Sequence, residues 1–557
     1  MGRCIRGTLA GVIALLLLAA APASAATSIA SVEVQIDNSG SLGIQGGLGV
    51  VVSSPDGAFV YVAGVSDDDV AVFSRNASTG KLTFVEKETN IGISLAKPQG
   101  LALSPGGGAH LYVALGIGGV SVFSRNVGTG VLTFLEVEVN GAGGVTDLGG
   151  AVGVAVSPDG NFVYVTAESD DAIGIFSRDT GTGLLTYVST LVDPTNINQP
   201  NGLVVSPDNL HVYVTGRQSE TLAVYSRNIG TGLLTFVEKH QDGLAGVDGL
   251  DSAVSVAISP NGASVYVVGE SDDGVAVFSR NSGTGALTFV EFEPGDNRFL
   301  RRMSSIVVSD DGTHVFAAGR SRDAVVLLDR NATTGELTFV AAETLQGSTS
   351  VAVSPDGLHV YSGTRTDSGL LGVFRLSDVA CSPAPMLGCT TPSQAGKSLV
   401  IVKDKTPNDG DLVVWKWSKG PVTPVAAFGD PVTTTNDLIL CVYEDTLGTP
   451  TLAFRGRLLA GGACDGKPCW KALNTIGFKY KDKDRSPDGL LTALMKSGSI
   501  AGQALIKVKG KGSRLDIPVL PLTTPVVVQL QRTGACWETT HTTPLATDFT
   551  QFKSKDN

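Results

Sequence analysis

One phrase is repeated seven times between Gly49 and Val373. It runs through an apolar stretch, a Ser-Pro-Asp-Gly turn, Val-Tyr-Val, a short polar loop, Val-Phe-Ser-Arg-Asn, Thr-Gly and Leu-Thr-Phe-Val-Glu, and each copy keeps most of it. The turns begin at Ser54, Ser104, Ser157, Ser206, Ser259, Ser309 and Ser354, spaced 50, 53, 49, 53, 50 and 45 residues apart. A period this long, with several short β runs per unit, specifies a β-propeller and excludes a helical solenoid.

Each unit holds four β-like runs. In the third unit they cover 152–157, 162–166, 172–177 and 185–189, rich in Val, Tyr, Phe and Thr. Pro-Asp-Gly joins the first two runs and Arg-Asn-x-x-Thr-Gly the third and fourth, both of them turn chemistry. Four antiparallel strands make one blade. Units one to six are complete, but unit seven stops at 371–376 without a Leu-Thr-Phe-Val-Glu. The missing strand is supplied by Ser31-Val-Glu-Val-Gln-Ile36, which resembles Leu132-Thr-Phe-Leu-Glu-Val-Glu138. The N-terminus is therefore expected to pair as the outermost strand of blade seven, leaving no open seam.

With 557 residues the chain exceeds one ordinary core. The expected division is a signal peptide over 1–25, a propeller over 26–380, a Pro/Thr/Ser linker over 381–395 and a second β domain over 396–557. The leader has Arg3 and Arg6, an apolar stretch from Leu9 to Ala21, and Ala23-Ser24-Ala25 as a cleavage site. This implies a secreted, periplasmic or cell-surface protein, with a retained N-terminal anchor as the alternative. No later run reaches the ~18 apolar residues of a membrane span. Cys4 leaves with the leader. Cys381, Cys389, Cys441, Cys464, Cys469 and Cys536 all follow the repeats, an even count that suggests disulfides. Local bridges Cys464–Cys469 and Cys381–Cys389 would leave Cys441–Cys536 as the long one. Zinc at Cys464 and Cys469 is the alternative, although no histidine lies nearby.

Charge divides at the same place. Residues 26–380 carry 18 basic and 38 acidic side chains, and residues 381–557 carry 21 and 15. A propeller with a net charge of −20 is a poor nucleic-acid binder, since phosphate contacts rest on Lys and Arg. The basic C-terminal part could meet an anionic surface polymer, a protein partner or the propeller itself.

On the repeated phrase, the chain resembles the seven-bladed lactonase-type propellers, which include propeller 6-phosphogluconolactonases and fungal muconate-lactonising enzymes. Ser-Pro-Asp-Gly-x-x-Val-Tyr-Val is also the phrase of the surface YVTN propellers. The resemblance covers about 350 residues. It implies the fold and lactone chemistry, but the shared residues are turn and core positions, which carry no chemistry themselves.

Strand parity places the stereotyped turns on one face of the disc. The loops 90–98, 140–150, 192–200, 239–252 and 294–303, which vary, fall on the other, where function is expected. On that face one position per blade follows the second strand: Val65, Gly116, Glu168, Arg217, Glu270, Arg320 and Arg365. Three guanidiniums there suit a small anionic substrate. Glu168 or Glu270 could act as general base on a water attacking a lactone carbonyl, with an arginine at the oxyanion. Arg301 and Arg302 would add charge, and Gln99 and Asn201 hydrogen bonds. Alternating Glu and Arg would equally make a salt-bridge belt between blades. His110, His211, His314 and His359 sit on the stereotyped face, and only His240 falls in a variable loop. Ser66-Asp-Asp-Asp69, Ser169-Asp-Asp171 and Ser271-Asp-Asp273 read as hydrogen-bonded turns rather than calcium ligands. No Gly-x-Ser-x-Gly, His-Glu-x-x-His or Walker loop occurs, and no cofactor or metal is expected.

Runs at 398–403, 411–417, 438–443, 505–508 and 525–530 suggest a sandwich. Similar acidic loops at 403–410 and 481–489 read as β-turns, with calcium as the alternative. Two functions fit the whole: an exported lactonase-like propeller that binds a small anion and hydrolyses a lactone (a carboxylic-ester hydrolase), or a non-catalytic surface scaffold for interaction or adhesion.

Overall fold

The computed structural model describes residues 28–555 except 38–40, 45–50, 78, 90–94, 295–299, 321–322, 367–368, 378–380, 382–383, 395, 406–409, 433–436, 447, 459, 461–462, 465–466, 484–488, 513–514, 516 and 533. The leader expected over 1–25 lies outside these residues, as do the centres of the two acidic C-terminal loops.

Each repeat forms one four-stranded antiparallel sheet in chain order, as in Ala151–Val156, Phe162–Ala167, Ala172–Arg178 and Leu185–Val192. The seventh sheet is built from both ends of this region. Ala352–Val353, His359–Gly363 and Leu370–Ser377 are completed by Ser28–Ile36, paired in register from Ser28–Ser377 to Ile36–Leu370. Glu33 in that strand accepts the N–H of Leu82 in blade one at 2.6 Å. Glu86, Glu136, Glu238 and Glu291 do the same for the blade that follows each. The N-terminal strand thus reproduces both the pairing and the inter-blade contact of Leu-Thr-Phe-Val-Glu.

The second strands are buried along their length, apart from a half-buried His314 in blade six, and supply the core between blades. The innermost strands approach closely at their glycines, as where a Cβ on Gly100 would lie 2.3 Å from the Val152 carbonyl oxygen.

The Arg of Val-Phe-Ser-Arg is the main polar tie. Its Nε donates to the tyrosine hydroxyl of the preceding blade: Arg75 to Tyr361, Arg125 to Tyr61, Arg178 to Tyr112, Arg227 to Tyr164, Arg280 to Tyr213 and Arg330 to Tyr266. Each hydroxyl in turn donates to the Thr-Gly carbonyl of the next blade, for example Tyr61 to Gly130 at 2.9 Å. Where the turn has its Asp, the guanidinium also pairs with that carboxylate, as Arg125 does with Asp56 at 2.6 Å. These buried guanidiniums are satisfied on all sides, which such burial requires.

The C-terminal region is a sandwich. An eight-stranded sheet runs Trp470–Ala472, Gly477–Lys481, Leu490–Lys496, Ala504–Lys511, Leu412–Gly420, Leu399–Lys403, Gln551–Ser554 and Pro544–Asp548. A four-stranded sheet runs Thr449–Leu458, Leu438–Thr446, Val526–Arg532 and Ala535–His541. Trp415, Trp417, Trp470, Trp537 and Phe428 fill the space between them. Disulfides join Cys381–Cys441, Cys389–Cys536 and Cys464–Cys469. The local Cys464–Cys469 bridge is as expected, and it removes the zinc alternative. The other pairing differs: Cys381 and Cys389 each bridge into the four-stranded sheet instead of to one another, stapling the linker onto the sandwich. That same sheet meets the propeller, where Arg375 pairs with Asp437 at 3.3 Å and Arg457 with Glu343 at 2.5 Å. Arg457 also donates to the Ile29 carbonyl of the closing strand.

Candidate functional site

The column residues share one backbone device. In five blades the residue before the innermost strand has positive φ, namely Lys97, Gly150, Gln199, Ser252 and Arg302, and in blade seven Gly347 does, five residues ahead of Ala352–Val353. In each case its carbonyl accepts the column N–H, from Gly116, Glu168, Arg217, Glu270, Arg320 and Arg365 respectively, at 2.8–3.1 Å. Each column side chain therefore leaves the backbone at a fixed point on the channel rim. Aspartates between the second and third strands lock the same junction: Asp68 and Asp171 of the acidic turns, and Asp323 at the same place in blade six, accept the N–H of Lys97, Gln199 and Gly347.

A cavity of about 450 Å³ opens where these residues converge. Glu168, Arg217, Glu270, Arg320, Arg365, Gln99 and Asn201 all line it. Gly116 has no side chain to contribute because Gln99 occupies the space; a Cβ there would lie 2.4 Å from the Gln99 amide nitrogen. The channel wall below is formed by innermost-strand residues the sequence reading passed over: apolar Leu101, Val152, Leu203 and Val254, and the hydroxyls Ser255, Ser304, Ser305, Thr349 and Ser350. Their signal was positional, at the second to fourth places of the first strands in blades two to six, where bulges re-aim the side chains, and just ahead of Ala352–Val353 in blade seven.

The charges are arranged as a chain across adjacent blades. Arg217 lies 3.6 Å from Glu168 and 2.7 Å from Glu270, and Glu270 is 3.5 Å from Arg320. Arg365 closes the arc and has no ion pair among the described residues. Burial, then the Arg365 guanidinium, pushes Arg320 below the usual arginine value; Glu270 opposes this, while Arg302 and Arg217 add to it. Cationic charge therefore accumulates on one side of the rim. Arg302 contributes this field and its carbonyl, but does not line the cavity. Arg301 turns away to pair with Asp273 at 3.1 Å.

Other candidates fall elsewhere. His240 is not in a loop: it extends the strand Leu234–Gln241, paired opposite Leu222, with its ring packed on Phe278. His110, His211 and His359 are buried in the Arg–Tyr layer. Asp242, Asp248 and Asp272 bring carboxylate oxygens within 4.8 Å of one another. Asp242 and Asp272 already accept the N–H of Leu250 and Asp251, which marks a turn.

A family model described as lactonase, seven-bladed β-propeller, matches residues 33–148, 141–248 and 241–354. The chain belongs to this lactonase propeller family. Among solved structures it is similar to a periplasmic gluconolactonase of Pseudomonas aeruginosa, at 20% identity over 54% of this chain and 85% of that one, with a TM-score of 0.46. A putative 6-phosphogluconolactonase of Bacteroides uniformis is 22% identical over 54% and 85%, with a TM-score of 0.44. Hydrazine synthase of Kuenenia stuttgartiensis is 20% identical over 59% and 96%, also at 0.44. No curated protein matches the chain. In the family member described here, the propeller is followed by the disulfide-containing sandwich.

Proposed function

We propose that the rim cavity binds a small anionic molecule and hydrolyses a lactone. The observation that supports this is the convergence of Arg217, Arg320 and Arg365 with Glu168 and Glu270 on one 450 Å³ space. Arg365 and Arg320 would hold the anionic group. Glu168 is the better base. Both Glu270 oxygens face guanidiniums, whereas Glu168 meets one guanidinium at 3.6 Å and keeps lone pairs for water. In the step proposed, Glu168 takes a proton as water oxygen bonds to the lactone carbonyl carbon. An arginine faces the oxyanion, then the ring C–O bond breaks and the leaving oxygen receives the proton. The product is a hydroxy acid.

The second reading, a non-catalytic scaffold, draws on the pairing of Arg217 between Glu168 and Glu270, which also ties three blades together. Hydrolysis of glucono-δ-lactone and related sugar lactones, measured above the spontaneous rate, separates the two. Catalysis abolished in Glu168→Gln and retained in Glu270→Gln supports the proposal, and no turnover by the unaltered protein on any lactone supports the scaffold. We further infer that the chain works in an oxidising compartment, secreted or periplasmic. Its three disulfides and its leader-like N-terminus support this. No helix among the described residues is long and apolar enough to cross a membrane.

A further inference from the structure

The outer face of the eight-stranded sheet carries a two-row array of lysines. Strand alternation turns Trp470, Phe478, Tyr480, Ile506, Val508 and Trp415 into the core, so their neighbours face out. The ladder aligns those neighbours across strands. One row reads Lys471, Lys479, Leu494, Lys507, Lys416 and Leu399, each opposite the next. The adjacent row reads Lys481, Thr492, Lys509, Val414, Ile401 and Lys553. The seven strands from Trp470 to Ser554 that make up these rows contain no aspartate, glutamate or arginine. Among the described residues, none of the lysines in either row makes an ion pair.

This array opposes ordinary sheet stability. Lys471 faces Lys479, and Lys507 faces Lys416, at directly opposed positions. Cβ atoms there are about 5 Å apart, and like charges so placed are destabilising. The acidic propeller does not neutralise them, because it docks on the other sheet through Asp437 and Arg457. The seven strands of this face present no outward aromatic, as single-strand nucleic-acid stacking or membrane insertion would use. Lysine ammoniums are compact point charges on flexible stems, and rows of them at strand spacing match the repeated charges of an extended polyanion.

We propose that this face binds an extended polycarboxylate polysaccharide, its carboxylates lying along the two lysine rows. Binding is read with the full chain on fluorescein-labelled polygalacturonate at rising NaCl, beside neutral dextran, phosphatidylglycerol vesicles and duplex DNA. Polygalacturonate should bind in a salt-sensitive manner. The variant Lys479→Gln/Lys481→Gln/Lys507→Gln/Lys509→Gln should bind at least about tenfold more weakly, from roughly two- to threefold per exposed ion pair. Its melting temperature should be equal or higher, which separates lost binding from lost folding, and arginine at the same four positions should restore binding. The proposal is overturned if the Gln variant binds as well as the unaltered chain. It is also overturned if only vesicles or DNA bind, or if the lysines instead drive self-association through a second copy's propeller.

Discussion

Arg125 donates its Nε–H to the Tyr61 hydroxyl of the blade before it at 2.6 Å, and that hydroxyl passes its own proton to the Gly130 carbonyl at 2.9 Å. The link recurs at six seams and is replaced at the seventh. Between blades six and seven the tyrosine position holds Phe316 and the arginine position Leu376, both in one apolar cluster with Ile29. The reason is topological. Blade seven takes its fourth strand from the N-terminus, so it has no Thr-Gly turn and no carbonyl for a hydroxyl to reach.

This exception predicts opposite effects at equivalent positions. Tyr213→Phe leaves the Gly285 carbonyl and the Arg280 Nε–H each short of a partner and should cost about 1–2 kcal/mol. Phe316→Tyr restores the repeat consensus, yet it places a hydroxyl where neither partner exists, and should cost about 1–3 kcal/mol. Urea unfolding of both variants measures this. A stabilised Phe316→Tyr would overturn the account of the seam.

Most of the propeller was legible because its signals are local and repeated. Turn residues mark blade edges, alternation marks buried strands, and the absent Leu-Thr-Phe-Val-Glu pointed to Ser31–Ile36 as its replacement. The column was legible for the same reason, since Glu168 and Arg320 hold one place in one phrase. What escaped depends on distance in space. Cys381 pairs with Cys441 across 60 residues, and nothing local distinguishes that partner from Cys389. His240 was misplaced because the outermost strand runs on to Gln241, three residues beyond its Leu-Thr-Phe-Val-Glu phrase.

The rim arginines should separate binding from stability. Arg365, exposed and without an ion pair among the described residues, can be changed to Gln with an effect on unfolding within about 0.5 kcal/mol. Arg217, paired with both Glu168 and Glu270, should cost about 1 kcal/mol as Arg217→Gln, since Glu270 is only 16% exposed. With citrate as an anionic probe, calorimetry should find affinity weakened about tenfold in Arg365→Gln, one charge-assisted contact being lost. Equal citrate binding by Arg365→Gln and the unaltered chain would remove this residue from the site.

Closure by the N-terminal strand should govern the whole disc. A chain beginning after Ile36 exposes the edge of Leu370–Ser377, loses the Glu33–Leu82 contact, and deprives Arg457 of the Ile29 carbonyl. It should melt several degrees lower and associate through the open edge, seen as concentration-dependent light scattering. Adding a synthetic peptide of residues 28–36 in excess should recover part of the loss by mass action.

The buried His359 predicts how the propeller answers acid. It is fully buried, its Nδ1 lies 2.8 Å from Arg75, and burial, then the Arg75 charge, pushes its pKa down to about 3. The unfolded chain takes up this proton near pH 6.5, while the folded chain refuses it until about pH 3. Folding stability therefore falls as pH drops through that window, with a slope up to about 1.4 kcal/mol per pH unit from this group. His110 and His211, shifted the same way mainly by burial, add to it. His359→Gln should be less stable than the unaltered chain at pH 8, because the ring packs against Gly80, but should lose less on going to pH 5. Urea midpoints at pH 8, 6.5 and 5 check this, and parallel losses in the two proteins would show that His359 does not set the acid slope.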